Sequence, residues 1–391
     1  MKKWSGLITI MTALIISLVI GECGLRLLAP VPDPYEEYKQ IIYFNRYIKS
    51  EYPPHYQSVY EITPGLPGVQ GTVNFTMNNM GFRGDHLSLT KPETEFRIFM
   101  VGASSVEGRI LDDSQVVTRI IQEELSLRVP IHIVPKVYGV AQSGDASDDN
   151  ISMIVHRLVQ MEPDMIIWLT GGTDLTSRSL TNYDYLHYTT SDAQGNQLSQ
   201  FDSAGKMPLL KYLAFDFQIT RRLYYFREKL SPRTTEALKH LPPKDAYLEA
   251  IKLDQARPLT SEKPPVNLTA YTNNLLTIIG VAQAHGIKLV LVTQPTTWNS
   301  TVDPETRNWH WMRSSPSDVR YREDLLDEAM ETLNDGMRQL AAKHSVSLYD
   351  LAILMPKSLD FFYDDVHFNV KGAQTTAKGI AAFILERNLI P

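Results

Sequence analysis

The chain has 391 residues, of which 43% are hydrophobic and 21% are charged, and this composition is typical of a globular protein. Its 38 basic and 44 acidic side chains give a net charge of −6, which argues against a nucleic-acid-binding protein because such proteins need a cationic surface. The single cysteine excludes an intramolecular disulfide and a thiolate-rich metal site.

The amino terminus carries a stretch that could cross a membrane. Residues 4–21 contain no charge and follow Lys2 and Lys3. As a helix this stretch would be about 27 Å long at about 1.5 Å per residue, close to a hydrocarbon core of about 30 Å. The preceding lysines favour a cytoplasmic amino end. We therefore expect residues 1–28 to form a cytoplasmic start and a signal-anchor, with the remaining chain periplasmic or extracellular.

A cleaved signal peptide is the main alternative to an anchor, since it has the same charged start. No clear small-x-small cleavage site follows the stretch, which favours the uncleaved anchor. Glu22 stands directly before Cys23, where a lipoprotein signal would have a small residue. Lipidation of the cysteine is therefore not expected.

The rest of the chain divides into two regions. Residues 29–90 hold prolines, tyrosines and glycines with few periodic runs, and we interpret them as a stalk and an entry segment, with a strand at 72–77. Residues 91–391 form the main domain. Five short apolar runs predict its buried strands: 97–101, 131–138, 165–169, 287–293 and 346–351.

Helical periodicity alternates with these strands. The second strand is interrupted by Pro135, and Asp112, Asp113 and Ser114 are start signals for the first helix. Apolar stripes predict helices at about 112–125, 147–158, 322–344 and 372–386. Apolar strands alternating with helices predict an α/β three-layer sandwich with a mainly parallel central sheet. An insertion at about 175–286 is predicted to be partly helical, at 209–230 and 268–284.

The residue types that could do chemistry follow the predicted strands. In an open parallel sheet, ligands bind outside the carboxyl ends of the strands. Glycine, serine, threonine, aspartate and histidine occur at those ends, in the segments 102–108, 139–145, 170–174 and 362–368.

Together these segments contain the parts needed for acyl transfer. A serine hydroxyl needs a nearby base, a histidine can be that base, and a carboxylate can orient it. Asp364 and His367 are three positions apart, so one loop can present both. Glycines let backbone N–H groups approach a developing oxyanion. Each part alone occurs often in structural roles, and their joint occurrence at four strand ends favours one site.

From about residue 78 to the end, the chain resembles the SGNH, or GDSL-type, serine hydrolases. Gly102-Ala103-Ser104 with Gly108 is similar to the first block of that superfamily, although Ala103 replaces its aspartate. Gly144 matches the second block. Asp364-x-x-His367 followed by Gly372 matches the terminal block and is the most specific signal. The segment 79–84 and the apolar amino terminus resemble membrane-anchored bacterial members.

The resemblance implies a flavodoxin-like SGNH fold for residues 91–391 and roles for individual residues. Ser104 would be the nucleophile, His367 the base and Asp364 its orienter. The backbone N–H groups of Ser104 and Gly144, together with Thr173, would form the oxyanion hole. The third block departs from the pattern, because Thr173 stands where the family has asparagine, and losing such a donor costs about 10²–10³ in rate. This leaves open a slower site, a different use of Thr173, or a non-hydrolytic protein.

Other polar residues near these blocks have structural interpretations. We expect Asp365 to be solvated or capping, Asp174 to cap a helix and Glu107 to face solvent. Aromatic residues of the insertion and of the loop after the fourth strand either stack on sugar rings or pack the insertion, and packing is favoured. They are Tyr183, Tyr185, Tyr188, Tyr212, Tyr224, Tyr225, Trp298, Trp309, His310 and Trp311.

Three functions remain open at this stage. The first is a membrane-anchored extracytoplasmic serine esterase that removes acyl groups, such as O-acetyl, from a cell-envelope or exported polysaccharide. The second is an O-acyltransferase acting on an envelope glycan, and the third is a catalytically weak carbohydrate-binding or assembly protein. We expect no cofactor and no bound metal, because no His-Glu-x-x-His helix or comparable ligand cluster occurs. The expected partners are an acylated carbohydrate or another small ester, and the membrane.

Overall fold

The computed structural model describes residues 2–31, 47–48, 51–181, 183–185, 189–191, 197–199, 216–230, 243–313 and 319–391. The α-helices are α1 (Lys2–Leu28), α2 (Ser104–Glu107), α3 (Val117–Ser126), α4 (Ser147–Met153), α5 (Gln218–Leu230), α6 (Pro243–Ala256), α7 (Leu268–His285), α8 (Pro304–Arg307), α9 (Glu323–His344), α10 (Leu351–Leu354) and α11 (Val370–Glu386). The strands are β1 (Gln57–Glu61), β2 (Thr72–Thr76), β3 (Glu95–Gly102), β4 (Val134–Ala141), β5 (Met165–Leu169), β6 (Thr189–Ser191), β7 (Gln197–Ser199), β8 (Leu259–Thr260), β9 (Lys288–Val292), β10 (Arg320–Tyr321) and β11 (Ser347–Tyr349).

Five strands form the central sheet in the spatial order β4-β3-β5-β9-β11, and every pairing is parallel. Counted along the chain, this order is 2-1-3-4-5, the order of flavodoxin-like folds. All five carboxyl ends therefore meet at one edge of the sheet. The expected central parallel sheet is confirmed.

The sheet is covered on both faces because side chains of each strand alternate between two cores. Ile98 and Met100 point into one core, and Phe99 and Val101 into the other. Helices α3 and α11 cover the first face, and α4, α7 and α9 cover the second. The strands lack the polar alternation of a half-exposed sheet because both faces are buried.

Pro135 lies within β4, opposite Phe96 of β3. A proline cannot donate a backbone hydrogen bond and is confined to edge strands or strand ends. β4 is an edge strand of this sheet, which explains how the proline is tolerated. The interruption noted in the sequence therefore marks the edge of the sheet.

The segment before β3 packs into the main domain. β1 and β2 pair antiparallel, and Tyr52, Tyr56 and Phe75 join the same core as α3 and α11. The backbones of Arg83 and Gly139 exchange hydrogen bonds of 3.0 and 2.7 Å beside β4. This segment thus becomes part of the wall near the sheet edge.

The predicted start signals of α3 have another role. α3 begins at Val117, and its cap residue Val116 provides no side-chain hydrogen bond. The Asp112 carboxylate instead accepts the backbone N–H of Asn74 at 3.1 Å, and Asp113 accepts that of Thr76 at 3.1 Å. The prediction that these aspartates start the helix is wrong, because they bind the β2 backbone.

Helix α1 is long and apolar, and Ile10–Leu28 has the length and composition to cross a membrane. Large apolar side chains such as Leu14 and Leu18 are more than half exposed. In the insertion, the predicted residues 209–215 lie outside the described part of the chain, whereas α5 and α7 occur where helices were predicted.

Candidate active site

The turn after β3 positions Ser104. A Cβ atom at Gly102 would lie 2.6 Å from the Leu169 carbonyl oxygen and 2.6 Å from the Val106 side chain. Only glycine allows this close approach between β3, β5 and α2. The turn therefore holds Ser104, the first residue of α2, at the carboxyl edge of the sheet.

Arg83 fixes the chain that follows Ser104. Its enclosed guanidinium donates to the carbonyl oxygens of Glu107 at 2.7 Å, Gly108 at 2.7 Å and Leu111 at 2.8 Å, and to the Asp113 carboxylate at 2.8 Å. Several charge-assisted hydrogen bonds from one planar group restrict the loop strongly. This is a physical role for the segment 79–84 that precedes the domain.

Ser104, His367 and Asp364 form one continuous hydrogen-bonded chain. Ser104 Oγ lies 2.7 Å from His367 Nε2, and His367 Nδ1 lies 2.7 Å from Asp364 Oδ2. Asp364 Oδ1 accepts the backbone N–H groups of His367 at 2.8 Å and Val366 at 3.0 Å. With a proton on Nδ1, the neutral imidazole can accept the serine proton at Nε2.

Asp364 and His367 each stabilise the charged form of the other. Burial raises the pKa of Asp364, but the charge of His367 and hydrogen bonds from His367 and Trp311 outweigh it and hold that pKa below its usual value. Burial lowers the pKa of His367, but Asp364 outweighs it and holds the histidine pKa above its usual value. The pair therefore favours an ionised aspartate and stabilises the imidazolium that forms during proton transfer.

Two aromatic rings stack with His367. The Tyr363 and Trp311 rings lie nearly parallel to the imidazole, with centroids 5.4 and 6.4 Å away. Trp311 Nε1 also donates to Asp364 Oδ2 at 2.9 Å. Tyr247, in the insertion helix α6, packs against both aromatic rings. Sequence reasoning missed this role of Trp311, since no local signal links positions 53 residues apart.

Of the other aromatic residues predicted to pack the insertion or to stack on sugar rings, those whose side chains the structure describes are buried or half-buried in the fold. Trp298, His310 and Tyr183 are buried, whereas Tyr185 and Trp309 are half-buried. Tyr188 and Tyr212, and the side chains of Tyr224 and Tyr225, lie outside the described part of the chain.

Asp365 is buried, so the expectation of a solvated or capping residue is wrong. Its carboxylate accepts Trp298 Nε1 at 2.8 Å and the backbone N–H of Trp311 at 2.7 Å. Burial raises its pKa. Asp365 therefore holds the loop that carries Trp311, whereas Asp364 binds the histidine.

Glu107 is also buried, against the expectation that it faces solvent. Its carboxylate accepts the hydroxyl of Tyr52 at 2.5 Å and that of Ser143. Burial raises its pKa. Glu107 thus ties the turn after β3 to the entry segment and to the loop after β4.

The expected oxyanion donors lie on the neighbouring strand ends. Gly144 follows β4 with a φ of +88°, a conformation that L side chains rarely adopt, and a Cβ there would meet open space. Thr173 follows β5 and is buried. Ser104 is the first residue of α2, where backbone N–H groups have no intrahelical acceptor.

Asp174 connects the segment after β5 with the start of α4. Its buried carboxylate accepts the Ser147 backbone N–H at 3.2 Å, the Ser147 hydroxyl at 2.5 Å and the Thr170 hydroxyl at 3.1 Å. Ser147 is the first residue of α4, so Asp174 satisfies an N–H group at the start of that helix. This agrees with the capping role expected from the sequence. Among the described residues, no group of three or more His, Cys, Asp or Glu could hold a metal ion.

The strand order and the serine–histidine–aspartate arrangement together define an α/β protein that resembles the SGNH, or GDSL-type, hydrolases. No family model and no curated protein matches the sequence. Among solved structures, a lipase/acylhydrolase from Enterococcus faecalis has 13% sequence identity and a TM-score of 0.39, with 74% of this chain and 96% of that chain covered.

Two further solved structures are similar to the same extent. For an acetylxylan esterase from Geobacillus stearothermophilus, the identity is 12%, the TM-score is 0.39, and the match covers 76% of this chain and 96% of that chain. For a GDSL-like lipase from Bacteroides thetaiotaomicron, the identity is 12%, the TM-score is 0.38, and the match covers 76% of this chain and 89% of that chain.

Proposed function

We propose that this protein is a serine hydrolase of acyl esters, with Ser104 as nucleophile, His367 as general base and acid, and Asp364 as the residue that orients His367. The observation that carries the proposal is the unbroken chain from Ser104 Oγ through His367 to Asp364, with 2.7 Å at each step. A serine without such a base is a poor nucleophile.

The reaction follows from this geometry in two halves. His367 Nε2 takes the Ser104 proton as Oγ attacks the ester carbonyl carbon, and the carbonyl π electrons move onto oxygen. The N–H groups of Ser104 and Gly144 and the hydroxyl of Thr173 stabilise that oxyanion. The oxyanion collapses, the C–O bond of the leaving alcohol breaks, and His367 gives the alcohol its proton. Water, deprotonated by His367, then attacks the acyl carbon and forms a second oxyanion. Its collapse breaks the bond between that carbon and Ser104 Oγ and releases the acid, and His367 returns the proton to Ser104 Oγ.

We further propose that the substrate is a cell-envelope or exported polysaccharide, from which the protein removes O-acetyl or similar acyl groups. Helix α1 supports this location, because residues 2 and 3 are lysines and the uncharged residues 4–21 that follow them are long enough to span a bilayer. In this arrangement the amino terminus is cytoplasmic and the domain is periplasmic or extracellular. A sugar hydroxyl could replace water in the second half-reaction, which would make the protein an O-acyltransferase.

The test uses the full chain in detergent with p-nitrophenyl acetate and a fluorophosphonate probe. We expect turnover and covalent labelling of the parent protein, and loss of both in Ser104→Ala. Ser126→Ala is the matched control, because its exposed hydroxyl bonds to the Gln122 carbonyl oxygen within α3, in a helix turn without a proposed catalytic residue. Equal turnover in parent and Ser104→Ala would refute the proposal, and acetyl transfer to an added glycan in excess of hydrolysis would identify an acyltransferase.

A further inference from the structure

Helix α5 of the insertion is attached to the carboxyl end of α1. The Glu22 carboxylate accepts the backbone N–H of Gln218 at 2.8 Å and of Ile219 at 3.2 Å, which are the first residues of α5. Arg26 holds the same carboxylate at 2.8 Å and donates to the Asp216 carbonyl oxygen at 2.7 Å. An anionic group at the first N–H groups of a helix stabilises that end.

The chain that leaves α1 adds further ties to α5. The Val31 backbone N–H donates to Gln218 Oε1 at 2.6 Å, and Arg221 donates to the Val31 carbonyl oxygen at 3.2 Å. Arg222 donates to the Ala29 carbonyl oxygen. The start of α5 is therefore held on both sides of the point where α1 ends.

The length of α1 determines the depth of this junction in a membrane. From Lys2 to Glu22 a helix rises about 30 Å at about 1.5 Å per residue, which is the thickness of a hydrocarbon core. With the lysines at the cytoplasmic surface, Glu22 reaches the opposite surface. Charged side chains are costly within the hydrocarbon, so Glu22 and Arg26 favour that position. The start of α5 must then lie at the same surface.

The described part of α5 exposes apolar side chains in addition to these contacts. Leu223 and Phe226 are 62% and 61% exposed, and Phe217, directly before the helix, is 51% exposed. Residues three apart lie on one side of a helix, so Leu223 and Phe226 share a face. At about 3.6 residues per turn, Arg222 flanks that face beside Phe226, whereas Arg221 lies on the opposite side of the helix. Apolar side chains beside cationic ones are the pattern of helices that lie in a membrane interface.

We propose that α5 is an interfacial helix that seats Phe217, Leu223 and Phe226 in the headgroup and acyl boundary of the extracytoplasmic leaflet. This inference rests on the proposed membrane anchor and is independent of the proposed hydrolysis. The insertion would then attach the domain to the bilayer at a second place beside α1, and limit how it turns on its anchor.

The test measures the depth of nitroxide labels on the full chain in phosphatidylethanolamine–phosphatidylglycerol vesicles. Cys23→Ser removes the single native thiol, and Phe226→Cys, Leu14→Cys or Thr375→Cys then provides one label site. Leu14 reports on α1, and exposed Thr375 of α11 is the water-facing control. Relaxation by oxygen, which enters lipid, is compared with relaxation by a water-soluble nickel chelate.

We expect the labels at Leu14 and Phe226 to be relaxed mainly by oxygen, and the label at Thr375 mainly by nickel. A Phe226 label that behaves like the Thr375 label, while Leu14 stays in lipid, would overturn the interfacial helix and leave the anchor standing. A Phe226 label shielded from both relaxants would overturn it in favour of a protein contact. A Leu14 label in water would reject the anchor itself.

Discussion

At the scale of single residues, one oxygen of Asp364 serves two donors. Asp364 Oδ2 accepts His367 Nδ1 at 2.7 Å and Trp311 Nε1 at 2.9 Å. The indole therefore shares the negative charge that would otherwise act on the imidazole alone. Trp311 also stacks on His367, so one side chain limits both the position and the basicity of the proposed base.

We predict that Trp311→Phe moves the acid limb of the kcat/KM profile to higher pH. The pKa of His367 is already above its ordinary value of 6.5, and activity falls as the pH drops through that pKa, because only neutral His367 accepts a proton. Phenylalanine keeps an aromatic ring but removes the N–H donor, which leaves Asp364 more basic and imidazolium more stable. A hydrogen bond to a charged group contributes about 1.5–3 kcal/mol.

The measurement is kcat/KM for a neutral ester from about pH 5 to about pH 9, a range that includes the titration of histidine. Trp309→Phe is the control, because Trp309 packs on Tyr247 and gives no indole bond to Asp364. If the acid limb of Trp311→Phe lies at the same pH as in the parent protein, or at a lower pH, the indole N–H does not act on the Asp364–His367 pair.

Thr173 stands where a longer asparagine side chain was expected to donate to the oxyanion, and its hydroxyl is the predicted replacement. We predict that Thr173→Val, which keeps the branched shape, lowers kcat by about 10²–10³ with little change in KM, because the oxyanion exists only in the transition state. Thr173→Ser keeps the hydroxyl and should retain most of the activity. Equal kcat in Thr173→Val and the parent, at an unchanged melting temperature, would remove Thr173 from the oxyanion hole.

At the scale of elements, the β3–α2 turn depends on the absence of a side chain at Gly102. We predict that Gly102→Ala destabilises the protein by about 1–3 kcal/mol, because its Cβ would lie 2.6 Å from the Leu169 carbonyl oxygen and from the Val106 side chain. The turn must shift and carry Ser104 with it. Misplacement of a catalytic group by about 1 Å can cost about 10² in rate. Urea unfolding and ester turnover measure the two effects.

Gly280→Ala is the matched control for that substitution. Gly280 lies within α7, and a Cβ there would meet nothing within 4 Å. Alanine in an open helical position should stabilise the fold by about 0.5–1 kcal/mol and leave turnover unchanged. Similar effects of the two alanines would mean that the close approach at Gly102 has no energetic consequence.

Local patterns predicted correctly where the central strands and their covering helices lie, but misplaced some of the ends of these elements. β5 occupies the expected residues 165–169, since a continuous apolar run must be buried on both faces. The start of α3 was misplaced, because Asp112 and Asp113 bind β2 and Arg83. A capping signal depends on which N–H group the carboxylate meets. Here the two N–H groups lie 38 and 37 residues earlier in the chain.

At the scale of the whole molecule, the parallel sheet assembles the candidate site. Ser104 and His367 are 263 positions apart, and Ser105 Oγ bonds to the Val366 carbonyl oxygen across 261 positions. The strands that precede these segments run in one direction, so their carboxyl ends share an edge. The insertion reaches the same edge through Tyr247 of α6, which contacts Trp311 and Tyr363.

The domain bounds at 28, 90 and 391, and the roles of Ser104, Gly144 and Thr173, stay predictions. What the structure adds at this scale is that the entry segment and the insertion both pack near the site, through Tyr52 on Glu107 and Tyr247 on Tyr363. The segment before the central strands and the insertion between β5 and β9 therefore help to form the walls of the site.

The amino-acid sequence by itself predicted the apolar amino-terminal helix, the alternation of strands and helices and the Asp364–His367 pair, and its resemblance to a known superfamily added Ser104 as a candidate. Periodicity, strand ends and a three-residue spacing are local properties, and they can be read without a fold. Only the tertiary structure decided that Asp365 and Glu107 are buried, that Trp311 binds Asp364 and that α5 is attached to α1. Burial and charge partners depend on segments far apart in the chain, and a local pattern holds no information about which of them will meet.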